Sequence, residues 1–298
     1  HAIWGIGQLG RKDQAAIIPL RPLLNDRDPE IQAQLLRVIA DAYHNDFADV
    51  AADFLRSPNP RVQLFAGLAL GKIGSGKHVP AIADFLKTNN NKDVFLRHAG
   101  VVALARAAEE SSRSVLLLTR HPSESVRLAA VVALRRVGNS GVAMFLNDSS
   151  EKVANEAAHA IHDEFSIAAA MPSLAGMLDV GLVASEPILR RAINANLRLG
   201  RPQNAQRLAK FAIRETAPES MRVEAIRSLA IWESPPKLDR VEGRYRDLGG
   251  RPVEQIYDIF DQYIGNLLSS KSDAVREAVA DAISRLNYGN AAERLSRL

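Results

Sequence analysis

The stretch NPRVQLFAGLALGKIG, which runs from Asn59 to Gly74, places small and apolar residues on one face of a helix. Counted from Val62, the positions four, seven and eight residues later hold Ala66, Ala69 and Leu70. This spacing follows the period of a helix and not the two-residue alternation of a strand. Asn59 followed by Pro60 is a helix start, and Gly74 is a stop signal. The stretch therefore predicts a single helix between them.

The same face recurs along the chain and indicates an internal repeat. Its first positions, called anchors below, are Ile31, Val62, Leu96, Val126, Val153, Ile188, Met221 and Val275. Successive anchors lie 27 to 35 residues apart up to Met221, and the last two lie 54 residues apart. Two short antiparallel helices and their turns fill such a period. We therefore expect an all-α protein, an α-α superhelix in which short helix pairs stack as a HEAT-type solenoid. Its period is shorter than the roughly 40 residues usual for HEAT repeats.

The repeat spacing predicts one array over residues 1–298. Its expected parts are a truncated repeat at 1–10, regular repeats at 11–233, a Pro- and Gly-bounded strap or loop at 234–252, and a C-terminal repeat and cap at 253–298. The first part is truncated because Gly10 aligns with Gly74, which puts its anchor before residue 1. We therefore expect the chain to start inside a second helix and to be the middle part of a longer protein.

Composition argues against several kinds of site. The chain has 38 basic and 34 acidic residues, a net charge of +4, and a nucleic-acid surface needs clustered positive charge and not a small excess. It has no cysteine, so thiolate nucleophiles and Cys-based metal sites are excluded. No apolar run approaches the about 18 residues of a membrane span. Because no phosphate-binding loop or Ser-His-Asp order is visible, we expect no catalytic residue and no cofactor.

Arginine recurs at the position directly after an anchor. The four examples are Arg97, Arg127, Arg222 and Arg276, and Gln32 and Gln63 occupy the same position in two further repeats. Such a column could line a groove on the concave face and bind anions. The alternative, which we favour, is a ladder in which each side chain bonds to carboxylates or carbonyl groups of an adjoining turn.

Two further groups of residues are candidate sites. His159 and His162 lie three positions apart on one helix face, which makes them a weak metal candidate; a solvated helix end is the preferred interpretation. Residues 234–252, called the strap below, are bounded by paired prolines and paired glycines that exclude continuous helix. We expect the strap to pack across the end of the array. The alternative is a recognition loop that uses Arg240, Arg244, Tyr245 and Arg246.

Three segments resemble one bacterial family. They are His1–Gly7, Phe95–Val101 and the stretch from Trp232 through Asp239 to Arg246. These segments resemble the HEAT region of the large multi-domain proteins of planctomycetes that are labelled membrane-bound dehydrogenases or haem-binding proteins. The resemblance implies a β-propeller before this region, a c-type cytochrome domain after it and an extracytoplasmic location. Any redox chemistry would then lie outside this chain, since haem attachment needs cysteine.

The expected function is that of a non-catalytic scaffold. A long face made by the second helices would bind protein, either neighbouring domains of the same polypeptide or a separate partner. The alternative is a HEAT-like nucleic-acid-binding protein or DNA glycosylase with a basic concave face. Trp4 and Trp232 argue against it, because they lie at opposite ends of the sequence and could not share a site in an extended array. A bilin-lyase-like protein is a third hypothesis, which no residue pattern selects.

Overall fold

The computed structural model describes residues 1–179 and 185–288. These residues form α-helices joined by turns and short 3₁₀ segments, and the described part of the chain contains no β-strand beyond one isolated bridge between Leu238 and Tyr245. The predicted all-α repeat fold is confirmed. The last part of the predicted C-terminal repeat and cap, from residue 289 onward, lies outside the described residues.

The chain divides into two compact units, His1–Glu156 and Ala157–Leu298. The first unit contains α1 (Ala2–Gly10), α2 (Pro29–Asp41), α3 (Ala48–Asp53), α4 (Pro60–Ile73), α5 (Val79–Asn89), α6 (Val94–Glu110), α7 (Ser112–Leu116) and α8 (Glu124–Arg136). Helix α9 (Glu151–Asp163) begins in the first unit and ends in the second. The second unit also contains α10 (Met171–Ala175), α11 (Glu186–Leu199), α12 (Pro202–Ala212), α13 (Glu219–Ala230), α14 (Glu254–Leu268) and α15 (Asp273–Arg285).

The 3₁₀ segments accompany the shorter, first helices of the pairs. They span Gln14–Asn25, Asn45–Phe47, Phe54–Arg56, Gly76–His78, Leu117–Arg120, Ser140–Phe145, Phe165–Ala170 and Gly176–Leu178. Pro19 and Pro22 lie inside the first of these segments. Because proline has no backbone N–H and crowds the preceding turn, a continuous α-helix is disfavoured there. The anchored second helices carry no such interruption. They are longer than their first helices up to α13, whereas in the last pair α14 has 15 residues and α15 has 13.

Side-chain caps fix where the second helices begin. The side-chain oxygens of Asp28, Asn59 and Asp93 accept backbone N–H hydrogen bonds in the first turns of α2, α4 and α6. Each cap satisfies helix-start donors that have no partner within the helix itself. The turn residues of the repeat therefore set the register of the apolar face that follows them.

Small residues let the second helices pack closely. The anchor Val62 and the predicted face residues Ala66, Ala69 and Leu70 are all fully buried. Gly67 of α4 lies against α6: a Cβ atom at this position would be only 2.8 Å from the Cβ of Ala99. Such an approach excludes a larger side chain, because protein interiors are close-packed.

The second unit places the strap beside α11 and α13. Helix α11 ends at Leu199, and the next residue, Gly200, has a φ of +63°, the left-handed conformation that glycine adopts readily. Trp232, after α13, is fully buried, and the guanidinium of Arg251 lies 4.9 Å from the centroid of its ring. Two backbone hydrogen bonds flank the Leu238–Tyr245 bridge, from Asp239 N–H to the Arg244 oxygen at 2.8 Å and from Arg246 N–H to the Lys237 oxygen at 2.7 Å. The strap thus folds back on itself as a small hairpin.

Candidate interaction surface and polar cluster

The position after the anchor has a common role in several repeats. Gln32, Gln63 and Arg127 each donate a side-chain N–H to the backbone carbonyl oxygen six residues earlier, in each case at 2.8 Å. Arg276 donates to the corresponding carbonyl in the last repeat. These carbonyl groups belong to the turn before the second helix. The side chain therefore ties each turn to the helix that it begins.

Two arginines of this column are buried in polar contacts. Arg127 makes two hydrogen bonds to the carboxylate of Asp148, at 2.7 and 2.9 Å, and only 10% and 4% of the two side chains are exposed. The hydrogen bond to Asp148 raises the pKa of Arg127. Arg222 donates to the Ala212 carbonyl at 2.8 Å and to Glu215 at 2.8 Å. Neither guanidinium is free to bind a ligand.

Arg97 departs from this arrangement. Its turn is closed by Asn89, which donates to the Asp93 carbonyl at 2.9 Å and accepts the Asp93 N–H at 3.0 Å. Asn90 and Asn91 in the same turn both have positive φ, 43° and 58°. Arg97 is exposed, and within the described residues its side chain has no hydrogen bond or ion pair. It is the member of the predicted column that is available to another molecule.

Arg97 lies on a groove between α6 and α8, called the α6/α8 groove below. Its volume is about 350 Å³. The lining residues are Val94, Arg97, His98, Val101, Leu128, Ala129, Val132 and Glu156, all within the first unit. Val94 and its neighbour Phe95 are 53% and 68% exposed. Val94 lines the groove and Phe95 does not. A concave site with apolar walls and few polar groups is the usual form of a binding site.

The second unit holds a buried polar cluster at the end of α9. The ring of His162 is fully buried, with Nδ1 2.7 Å from Oδ1 of Asp163 and Nε2 3.0 Å from Oδ1 of Asn194. His159 Nε2 lies 2.7 Å from the second oxygen of Asp163. Both predicted histidines therefore bond to neighbouring side chains, and His162 is enclosed by protein.

Strap carboxylates and an α11 arginine complete the cluster. Arg198 donates to Asp239 at 2.8 Å and to Glu242 at 2.9 Å, and it also donates to the His162 carbonyl. The side chains of Arg198, Asp239 and Glu242 are 6%, 2% and 7% exposed. Arg246 donates to the same Glu242 oxygen as Arg198. Charges buried this deeply require partners, and here each charge has one.

The four predicted strap residues have different surroundings. Arg240 makes a bidentate contact with Glu224 of α13, at 2.8 and 2.9 Å. Arg244 donates to the Asp163 carbonyl at 3.0 Å, and the guanidinium of Arg246 lies 3.9 Å from the centroid of the Phe165 ring. The three arginines therefore join the strap to the helices beneath it. Tyr245 is 63% exposed and remains open to solvent.

His162, Asp239 and Glu242 come close enough to suggest a metal site. Their potential ligand atoms lie within 4.8 Å of one another. However, both nitrogens of His162 have polar partners, and Asp239 accepts backbone N–H groups and Arg198. Among the side chains of the cluster, Glu242 leaves one buried oxygen, Oε2, without a hydrogen bond. Because two guanidinium groups already neutralise these carboxylates, the donor set fits an ion-pair network and not a divalent cation.

The ionisation of the cluster reflects competition between burial and pairing. Burial alone raises the pKa of Asp163, but the hydrogen bond to His162 and the charges of His159 and Arg191 outweigh it and lower the pKa to about 2. Burial also raises the pKa of Asp239, and backbone N–H groups and Arg198 bring it below the usual range. Burial lowers the pKa of Arg198. Asp163 and Asp239 are therefore held in their charged form.

Sequence reasoning did not predict Asn194, Arg198 or Glu242 as cluster members. Arg198 lies in α11, and its partners Asp239 and Glu242 lie 41 and 44 residues further along the chain. Arg244 reaches Asp163 across 81 residues. The available signal was the density of charged residues inside a segment bounded by proline and glycine. That signal shows that the strap needs polar partners, but not where they lie.

Comparison with known families identifies the repeat. A family model described as HEAT repeats matches residues 17–105 and 48–135. Residues 17–135 are HEAT repeats. No curated protein sequence matches the chain. Among the helices of residues 1–179 and 185–288, none has both the length and the apolar character that crossing a bilayer requires.

Several solved structures resemble this chain at low sequence identity. The Escherichia coli protein YibA is 16% identical, covers 95% of this chain and 96% of its own, and gives a TM-score of 0.36. The complex of CpcE and CpcF of phycocyanin lyase from Nostoc is 15% identical, and the match covers 82% of this chain and 93% of that one with a TM-score of 0.34. An archaeal HEAT-like repeats protein from Thermococcus onnurineus is 13% identical, and the match covers 78% of this chain and 92% of that one with a TM-score of 0.40. These scores are too low for the likeness to carry an argument about function.

Proposed function

We propose that this protein is a non-catalytic scaffold that binds another polypeptide through the exposed face of α6 and α8. The observation that carries the proposal is the α6/α8 groove, where the exposed Val94 lies beside the unpaired Arg97. Stacked helix pairs offer extended binding faces of this kind. HEAT repeats commonly mediate protein interactions.

The polar cluster supports a role without catalysis. The side chains of His162, Asp163, Asp239 and Glu242 are at most 11% exposed, and His159, which is 37% exposed, is paired with Asp163. A general acid or base must come within hydrogen-bonding distance of a substrate. Groups that are enclosed and already paired with one another are better suited to holding the strap in place.

The resemblance to the multi-domain dehydrogenase family suggests which polypeptide binds. We propose that the partner is a neighbouring domain of the same longer protein, as that family's organisation implies. The support is the three resembling segments, of which the stretch from Trp232 to Arg246 is the least generic. The full reading frame of the gene tests this point: a propeller before the repeats and a Cys-x-x-Cys-His motif after them are expected. A frame that lacks both would contradict the proposal.

A matched pair of surface variants tests the scaffold role. Val94→Asp changes a residue that lines the α6/α8 groove, and Met144→Asp changes a similarly exposed apolar residue elsewhere in the first unit, since the two side chains are 53% and 60% exposed. Affinity capture from the source cells should retain a polypeptide with the unaltered chain and with Met144→Asp, and lose it with Val94→Asp. Equal retention by both variants would contradict the proposed face. Capture of nucleic acid that falls steeply with salt would favour the DNA-binding alternative.

A further inference from the structure

The α6/α8 groove carries an uncompensated positive charge. Glu156 is the acidic residue that lines it, and this carboxylate lies 3.3 Å from the guanidinium of Arg135. Arg97 has no such partner among the described residues and is exposed. An arginine presents several N–H donors in a plane that matches a carboxylate. The groove therefore offers a carboxylate-binding group that the protein itself leaves unused.

The remainder of the groove is apolar. Val101 and Ala129 are buried at its base, Leu128 and Val132 are partly exposed, and Val94 is exposed at its edge. A volume of about 350 Å³ is near the lower end of the range of about 300–1,000 Å³ found for small-ligand pockets. That space suits a few side chains of a peptide. Apolar contacts would supply affinity, and the arginine would fix orientation.

Nucleic acid is a poorer match for this surface. A phosphate backbone is bound by a row of cations. Along the same two helices, Arg106 lies 3.3 Å from Glu109, Arg135 is paired with Glu156, and Arg127 is buried. Arg136, at the end of α8, is exposed but does not line the groove. The unpaired guanidinium of Arg97 beside apolar side chains is instead complementary to one carboxylate beside apolar side chains.

We infer that the α6/α8 groove binds a short peptide segment of the partner in which an aspartate or glutamate adjoins a large apolar residue. The carboxylate pairs with Arg97, and the apolar side chain lies against Leu128 and Val132. His98, which is exposed at the same site, offers a further ring nitrogen for hydrogen bonding. This inference rests on the proposed scaffold function and specifies the chemistry that the scaffold recognises.

Selection from random peptides tests the inference directly, because the partner need not be identified first. Short random peptides displayed on phage are selected against the full chain, and the recovered peptides are synthesised and their dissociation constants are measured. Recovered sequences should be enriched in Asp or Glu next to Leu, Ile or Phe. Arg97→Gln should weaken their binding roughly tenfold or more, since hydrogen bonds to a charged group are the stronger class. Arg113→Gln, a change at an exposed arginine of α7, should leave binding unchanged.

A second variant covers the apolar half of the site. Leu128→Ser should also weaken binding of the selected peptides, with circular dichroism confirming that the variant is folded. The inference is overturned if no peptide is recovered, if the recovered peptides lack acidic residues, or if Arg97→Gln and Arg113→Gln bind them equally. Its failure is distinguishable from that of the scaffold role. A cellular polypeptide that is lost with Val94→Asp but retained with Arg97→Gln would support the scaffold role and reject the pairing of a carboxylate with Arg97.

Discussion

Asp239 is the residue through which the strap and α11 are joined, so its neutralisation tests what the polar cluster does. Its carboxylate accepts backbone N–H groups of Val241 and Glu242 at 2.9 and 3.1 Å, and it accepts the Arg198 guanidinium at 2.8 Å. Asp239→Asn preserves size and can keep the two backbone bonds through its amide oxygen. Its NH₂ group would then face the donors of Arg198, which leaves a buried guanidinium without that acceptor.

The size of the loss follows from burial. The Asp239 side chain is 2% exposed and that of Arg198 is 6% exposed. Removing one partner of a buried ion pair costs about 3–5 kcal/mol. Because Arg198 keeps Glu242 at 2.9 Å, we expect the lower end, about 3 kcal/mol of the free energy of unfolding. The matched change is Asp247→Asn on the same strap, where the carboxylate is 49% exposed and 3.6 Å from its lysine. No measurable loss is expected there.

Tryptophan fluorescence separates the second unit from the first. Trp232 is fully buried in the second unit, whereas Trp4 in the first is 43% exposed, so a Trp4→Phe background leaves one reporter. With a urea slope of about 1–3 kcal/mol per molar, a loss of about 3 kcal/mol lowers the unfolding midpoint by about 1–3 M. If Asp239→Asn and Asp247→Asn unfold at the same urea concentration, the cluster does not stabilise this unit and the reasoning is wrong.

Three further outcomes are expected. The pKa of Asp163 is about 2 in the folded chain, below its ordinary 3.8, so its stabilisation is present above about pH 4 and is lost as the pH falls toward 2. The free energy of unfolding, measured by urea titration at each pH in that range, should fall by about 2 kcal/mol. Asp163→Asn should make this free energy depend less on pH. Gly67→Ala should destabilise by about 1–3 kcal/mol through overpacking, whereas Gly265→Ala, with no atom within 4 Å of the added Cβ, should stabilise by about 0.5–1 kcal/mol, as measured by thermal unfolding. Arg127→Met should cost about 3 kcal/mol and Arg97→Met nothing measurable, and equal effects would show that the ladder position has no structural role.

The helices were predictable because the residues that they bury recur with the period of a helix. The face that begins at Val126 consists of Ala130, Ala133 and Leu134, and all four residues are fully buried. A small or apolar residue at each of these positions is enough to specify the face, since helix geometry fixes which positions point the same way. The turn residues before each anchor specify where the helix begins. Neither inference depends on distant parts of the chain.

The polar cluster was not predictable for the opposite reason. The contact between Arg198 and Asp239 depends on how the strap returns to α11, and no periodic pattern encodes that path. The sequence singled out His159 and His162 by their spacing, but the partner Asn194 lies 32 residues beyond His162 in a different helix. Arginines at one repeated position also look alike in sequence. Their burial differs because it depends on whether an acceptor such as Asp148 lies within reach.

The difference between Arg97 and Arg127 links turn chemistry to the exposed surface. In the Arg127 repeat the turn carbonyl six residues earlier accepts the guanidinium, so the charge is used within the protein. In the Arg97 repeat, Asn89 closes the turn with its own side chain, and two left-handed residues follow it. The turn no longer needs the arginine as a donor. Because Asn89 closes this turn in place of the arginine, the Arg97 guanidinium is left at the α6/α8 groove. A repeat position that stabilises the fold in other repeats is therefore available for binding in this one.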